Sequence, residues 1–135
     1  MDQKLTHLQL IQAVINRLAQ SSFLLKGWSV VLVVALFAFA AKDSRLIFMY
    51  LAYFPAIAFW GLDAFCLWQE RLYRRLYDHV RGLAPEEIDF SMNTSGLKGQ
   101  VLWLEAVFSK TLLWFHGTLV LTIAAVMLFA PMEGR

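Results

Sequence analysis

The chain has 135 residues, 59% of them apolar and 16% charged, with a mean hydropathy of +0.56. Soluble domains carry about half apolar and about a quarter charged residues, so this balance argues against an ordinary water-soluble domain and for one solvated by lipid. The formal net charge of +2 is too small to point to nucleic acid, and the single cysteine, Cys66, rules out an intramolecular disulfide and any cysteine-based metal cluster.

In chain order, Leu5, Leu8, Ile11, Ile15 and Leu18 recur at three- and four-residue steps opposite Gln9, Gln12, Asn16, Arg17 and Gln20. This spacing predicts an amphipathic helix over residues 1–22. Such a helix either lies on a membrane surface or packs on another helix in a cytosolic bundle. A polar face rich in glutamine rather than lysine favours the second. The segment lacks the basic start, short apolar stretch and cleavage site of a secretory signal, and is expected to stay on the mature protein.

Residues 23–41, "FLLKGWSVVLVVALFAFAA", are interrupted only by Lys26, whose long side chain can reach the headgroups from the edge of the hydrocarbon. They predict a first transmembrane span. "KDSR" makes a tight polar turn, and residues 46–68 predict a second span of the length that ~30 Å of hydrocarbon demands. The two form a transmembrane hairpin, with Pro55 expected to bend the second helix. Cys66, at the end of this run, reads as a packing residue, with reversible acylation the lesser alternative.

Residues 69–110 read as a cytosolic helical stem and loop. Leu72, Leu76 and Val80 share one face of the stem, and Glu70, Arg74 and Asp78 follow one another at four-residue steps on another. Beyond Arg81, Gly82, Pro85, Gly96 and Gly99 mark a loop, with a short helical turn starting at Pro85. A last helix is expected to begin near Leu97 or Lys98 and to cross the membrane over residues 111–131, where Pro131 ends it. The expected fold class is therefore all-α: an integral membrane helical bundle with three transmembrane helices, an amphipathic N-terminal helix and a cytosolic stem.

Lysine and arginine gather on the N-terminal arm (Lys4, Arg17, Lys26) and on the long loop (Arg71, Arg74, Arg75, Arg81, Lys98, Lys110), whereas the turn has Lys42 and Arg45 and the tail Arg135. Positive charge staying inside places the N-terminus and residues 69–110 in the cytoplasm of a bacterial inner membrane and the C-terminus in the periplasm. Arg71, Arg74, Arg75 and Lys26 are then the candidate residues at the inner interface.

Catalysis needs a nucleophile, an acid and base pair, a metal cluster or a phosphate cradle, and none is visible, so neither an enzyme nor a bound cofactor or metal is expected. The polar residues at membrane depth are the remaining candidates. His116 lies about six residues into the third span, as a histidine hydrogen-bonded to a neighbouring helix or as a gating or proton-sensing group. Asp63 falls near the end of the second span, where an ion pair with Arg17, Lys26 or Lys110, or a headgroup contact, competes with a gating role. Thr111, Thr118 and Thr122 share a face of the third helix. They would line a polar path in an oligomer, although threonines commonly bond back to their own helix carbonyls. Ala52 and Ala56 have the small-xxx-small spacing of a close helix contact.

The amphipathic N-terminal helix, the tight transmembrane hairpin and the charged helix "LDAFCLWQERLYRRLYDHVR" from Leu62 to Arg81 resemble the small bacterial membrane proteins of the SLATT type over about residues 8–81. That family is associated with phage-defence operons and is thought to oligomerise and permeabilise the inner membrane. The third span departs from its two-helix module. The resemblance implies a homo-oligomeric membrane-disrupting or pore-forming effector of a bacterial defence or stress system. Its partners would be the bilayer, further copies of itself and a soluble sensor or regulatory protein, with no nucleic acid. A non-conducting membrane anchor or scaffold that recruits a soluble partner is the alternative.

Overall fold

Two long antiparallel helices form the frame of the molecule. Helix α1 runs from Asp2 to Asp43 and α2 from Ile47 to Arg81. In the computed structural model, which describes residues 2–43 and 45–129, all regular structure is helical. Chain pairing along the hairpin is regular: Phe39 stacks on Phe48 near the turn, Lys26 meets Asp63 midway, and Lys4 reaches the Arg81 carbonyl at the far end.

No break separates the amphipathic segment expected over residues 1–22 from the span expected over 23–41. Nothing in "LAQSSFLLKG" stops a helix, because it lacks proline and its one glycine is exposed on the helix surface. At about 1.5 Å per residue α1 is roughly 63 Å long, about twice the thickness of a hydrocarbon core. Helix α2 likewise continues from span into stem, and it remains helical through Pro55.

After α2 the chain makes 3-10 turns at Pro85–Glu87 and Ser95–Gln100, a short helix α3 at Trp103–Val107, and a last helix α4 at Lys110–Phe129. The single helix expected from Leu97 onward is thus divided. Extended backbone at Leu102 and Ser109 interrupts it, and Ser109 starts α4 by accepting the Leu112 N–H on its side chain. The C-terminal limit of the third span at residues 130–131, Ser44 of the turn, and Arg135 lie outside the described residues.

Three apolar clusters hold the elements together. At the turn end, Val33 and Ala40 of α1, Met49, Ala52 and Ala56 of α2 and Ile123 of α4 are all buried. Ala52 and Ala56 are fully buried in this cluster, which draws on all three helices. Near the middle, Ala64 packs with Ala106 and Leu112. At the stem end, Ile11 and Ile15 pack against Leu76 and Val80, with Ile88 from the loop closing the cluster. The N-terminal part of α1 thus lies on the stem of α2.

Polar contacts shape the stem end too. The Lys4 ammonium donates to the carbonyls of Arg81 (3.0 Å) and Leu83 (2.8 Å), partnering oxygens that the end of α2 leaves without helical donors. Between the 3-10 turns, the Asp89, Ser91 and Asn93 side chains each accept from the backbone N–H two residues on, which orders a segment without a backbone ladder.

The outer surface of the spans is apolar. Phe23, Phe54, Trp114 and Leu121 are each at least 70% exposed. The accessible surface is 8619 Å², against about 7,200 Å² for a globular chain of this mass. Three helices are long and apolar enough to cross a membrane: Asp2–Asp43, Ile47–Arg81 and Lys110–Phe129. Their exposed faces are a burden in water and ordinary in lipid.

Candidate functional site

Ser22 and Lys26 are one turn apart on α1 and face α2, and the Lys26 ammonium lies 2.8 Å from the Ser22 hydroxyl. Across the interface stands Asp63, fully buried. Its Oδ2 is 2.6 Å from Lys26 Nζ, and its Oδ1 accepts a hydrogen bond from the Ser22 hydroxyl. Of the three cations expected to pair with Asp63, Lys26 is the one that does; Arg17 and Lys110 are exposed.

Helix α4 supplies the third side. Over Leu113–Gly117 its backbone widens into a π turn, and His116 sits within it, fully buried. The His116 Nε2 lies 2.7 Å from Asp63 Oδ2. A carboxylate oxygen only accepts, so Nε2 carries the proton and donates it. The π turn inserts an extra residue per turn and so rotates the side chains that follow it; single π turns recur where a helix must aim a functional group. Where the ladder returns to α, the Thr118 hydroxyl donates to the Trp114 carbonyl.

Asp63 thus receives hydrogen bonds from all three spans at one depth. With a neutral imidazole the cluster has one negative and one positive charge and no net charge, the balance a low-dielectric interior tolerates. Lys26 has 17% of its side-chain surface open, whereas Asp63 and His116 have none. The ammonium therefore marks the outer edge of the cluster and the imidazole its inner end. The other ring nitrogen of His116, Nδ1, is buried without a hydrogen-bond partner among the described residues, as is the hydroxyl of Ser29.

Aromatic rings enclose the cluster. Trp60 lies parallel to the His116 ring at 5.9 Å, Phe115 meets that ring edge-on at 5.0 Å, and the Lys26 ammonium stands 5.9 Å from the centre of the Phe115 ring. The Trp60 indole N–H donates to the Val107 carbonyl at 3.0 Å and the Trp68 indole N–H to the Val101 carbonyl at 2.9 Å. Both bonds fasten α3 and the segment before it to α2. Trp28, Trp60, Trp68 and Trp114 each lie within about one and a half helical turns of a cluster residue, so they share its depth within roughly 8 Å along the helix axes. Trp103 joins them, since its ring faces Gly61. A belt of tryptophans at one level is what side chains at a membrane–water interface form.

No protein-family model, curated protein or solved structure matches the chain. The chemistry of the site therefore rests on its own geometry. A carboxylate and an imidazole are two metal-type donors, but the next group on the carboxylate is an ammonium, which a cation would repel, and no group of three such ligands occurs among the described residues. What the arrangement can do is hold three helices in one packing: separating α1 from α2 breaks the Lys26–Asp63 charge pair, and moving α4 away removes the His116 hydrogen bond to the same carboxylate.

The remaining candidates lie elsewhere. Thr118 and Thr122 are exposed, and their hydroxyls donate to the carbonyls of Trp114 and Thr118, four residues back. Thr111 is exposed in the first turn of α4. Arg71, Arg74 and Arg75 lie on the stem, about 12 to 18 Å beyond Asp63 along α2. Arg74 pairs with Glu70 at 2.9 Å, and Asp78, expected to pair with Arg74, meets Arg81 at 3.5 Å instead. Sequence reasoning missed Ser22, Trp60 and the π turn. The four-residue step from Ser22 to Lys26 was the available signal for the first; the other two depend on where α4 docks.

Proposed function

We propose that the protein is a homo-oligomeric integral membrane protein of a bacterial inner membrane. Its three spans are held in a closed packing by the Lys26–Asp63–His116 cluster, and it acts by repacking them so that the membrane becomes permeable, in a defence or stress response of the kind the SLATT-type resemblance implies. The observation that carries this reading is the buried carboxylate that accepts from all three spans at once. An ion pair of this kind adds little net stability over apolar packing but strongly penalises every arrangement that separates its members, which suits a two-state element. The stem, the N-terminal part of α1 and the loop between them lie on the cytosolic side in this reading, where a sensor protein would contact them and favour one packing over the other. The cluster then sits about 7.5 Å inside the inner boundary if Trp68 marks that boundary, within the depth that the tryptophans span.

The test is expression of the wild type and of Asp63→Asn in cells loaded with a potential-sensitive dye. The variant should depolarise the membrane and slow growth without any activating signal. Unchanged potential in both proteins, at equal membrane levels, would count against permeabilisation.

One observation favours an anchor or scaffold instead. Several concave surfaces of the chain lie at the stem end, among them a cleft of about 350 Å³ between α2 and the loop, lined by His79, Glu87 and Asp89, and an apolar groove of about 390 Å³ between Leu10, Phe90 and Met92. In that reading a soluble protein occupies these surfaces and nothing is conducted.

A further inference from the structure

The stem carries a second polar feature that the cluster does not use. Arg71, Arg74 and Arg75 of α2 line a cleft of about 310 Å³ with Asp78, Gln100, Val101 and Glu105, of a size at the lower end of small-ligand sites. Two of its charges are already spoken for within α2, Arg74 by Glu70 and Asp78 by Arg81. Arg71 and Arg75 form no ion pair among the described residues. The cleft therefore presents two uncommitted guanidinium groups on one wall and a carboxylate and an amide, Glu105 and Gln100, on the other.

Its depth identifies the occupant. Ile47 to Trp68 rises about 32 Å, which matches a hydrocarbon core of ~30 Å. Arg71 then stands about 4.5 Å beyond that boundary, within a headgroup layer roughly 5 to 8 Å thick on each face, and Arg75 about 10.5 Å beyond it, just past that layer, from where its long side chain reaches back to the headgroups. The opposite wall is fixed at the same level, because the Trp68 indole holds the Val101 carbonyl at 2.9 Å and Val101 itself lines the cleft. Lys98, whose ammonium stands 5.9 Å from the centre of the Trp68 ring, adds a further positive charge nearby.

We propose that this cleft binds the headgroup of one anionic phospholipid. Arg71 and Arg75 take the phosphodiester through paired N–H donors, and Glu105 and Gln100 accept from headgroup hydroxyls, as a phosphatidylglycerol would offer. A guanidinium pair suits a phosphodiester because its donors match two oxygens at once, which lysines in the same places would not do. A purely basic patch would attract any anion; the acidic wall selects one that also carries hydrogen-bond donors. The site is independent of whether the spans conduct.

The test uses the full chain purified in a mild detergent, with bound lipids counted by native mass spectrometry. Phosphatidylglycerol, phosphatidylcholine and inorganic phosphate are offered separately. The wild type should retain one phosphatidylglycerol per protomer in preference to phosphatidylcholine. R71Q/R75Q should weaken that retention by roughly tenfold or more, while K42Q/R45Q, at the other end of the hairpin, leaves it unchanged. If the glutamine variant fails to fold, R71K/R75K keeps the charge and removes the paired geometry, and should still weaken binding. Equal retention of the two lipids by the wild type overturns the site. So does undiminished phosphatidylglycerol binding by whichever variant folds. Displacement of the lipid by inorganic phosphate at matched concentration would reassign the cleft to a soluble phosphate and overturn the lipid proposal.

Discussion

Asp63 and His116 stand 53 positions apart in the chain, yet His116 Nε2 lies 2.7 Å from Asp63 Oδ2 and neither side chain has any exposed surface. No local pattern brings them together. The contact exists because α4 turns back beside α2 at the level where α1 presents Lys26, so three helices share one carboxylate. Removing any one partner leaves the others buried and imperfectly compensated.

Asp63→Asn is expected to cost up to about 3–5 kcal/mol, because the largely enclosed Lys26 ammonium then loses its counter-ion. Lys26→Met should cost a similar amount for the mirror-image reason. The double variant should be less destabilised than the sum of the two, since an apolar side chain no longer faces a charge. Unfolding in mixed micelles by titration with a denaturing detergent gives the three values. Strict additivity would show that the pair makes no mutual contribution.

Trp60 both stacks on His116 and donates to the Val107 carbonyl. Trp60→Phe keeps an aromatic ring against the imidazole but leaves the Val107 carbonyl without its indole donor, at a cost of about 1–3 kcal/mol. Trp60→Ala removes both and should cost about 3–5 kcal/mol. Equal destabilisation by the two variants, measured by the same unfolding titration, would mean that the stack contributes nothing.

Much of the fold is legible from the sequence because lipid imposes a simple rule: long apolar runs become helices, since no other element satisfies its own backbone. That rule gives the three spans and, with the short turn, the hairpin. The face of the stem could likewise be read from the spacing of Leu72, Leu76 and Val80, whereas the packing of α1 on it was one of two alternatives that a glutamine-rich polar face only favoured. The cluster was half legible. Lys26 was among the cations weighed for Asp63, because both stand near the same end of their spans. His116 was visible as an intramembrane polar residue, but its partner depends on the register of α4 against α2, which the π turn and the break at Ser109 set. Neither leaves a mark in periodicity, since a π turn is one inserted residue and "FSK" carries no proline or glycine.

The stem end should loosen separately from the spans. Ile15 and Val80 are buried in a cluster of their own, apart from the one around Ala52, Ala56 and Ile123. Ile15→Ala combined with Val80→Ala should raise amide exchange over residues 2–20 and 72–92 by one to two orders of magnitude, from about 2–3 kcal/mol of lost local stability. Exchange in the spans should stay as it is. A uniform rise along the whole chain would mean that the two ends unfold as one unit.

Ala52 has no exposed surface and faces the turn-end cluster with Met49, Ala56, Val33 and Ile123. A larger side chain there must push α1 or α4 away. Ala52→Leu should therefore cost about 1–3 kcal/mol through overpacking, while Phe54→Leu, at a position 77% exposed, should stay within about 0.5 kcal/mol. Comparable losses at both positions would place the helix contact on a different face of α2 from the one described.

Thr118 and Thr122 separate a lipid-facing surface from a pore wall. Both side chains are exposed, and both hydroxyls are already bonded to carbonyls one turn back on α4. Against lipid, Thr118→Val combined with Thr122→Val replaces two satisfied hydroxyls with methyl groups of the same shape, and stability should change by no more than about 0.5 kcal/mol. Around a water-filled axis in an oligomer, the same change removes polar groups from the wall, and ion flux through reconstituted vesicles should fall severalfold while folding is unaffected. Flux through wild-type vesicles that the double variant leaves unaltered would put this face of α4 against lipid or a neighbouring helix and move any conducting path to a different set of side chains.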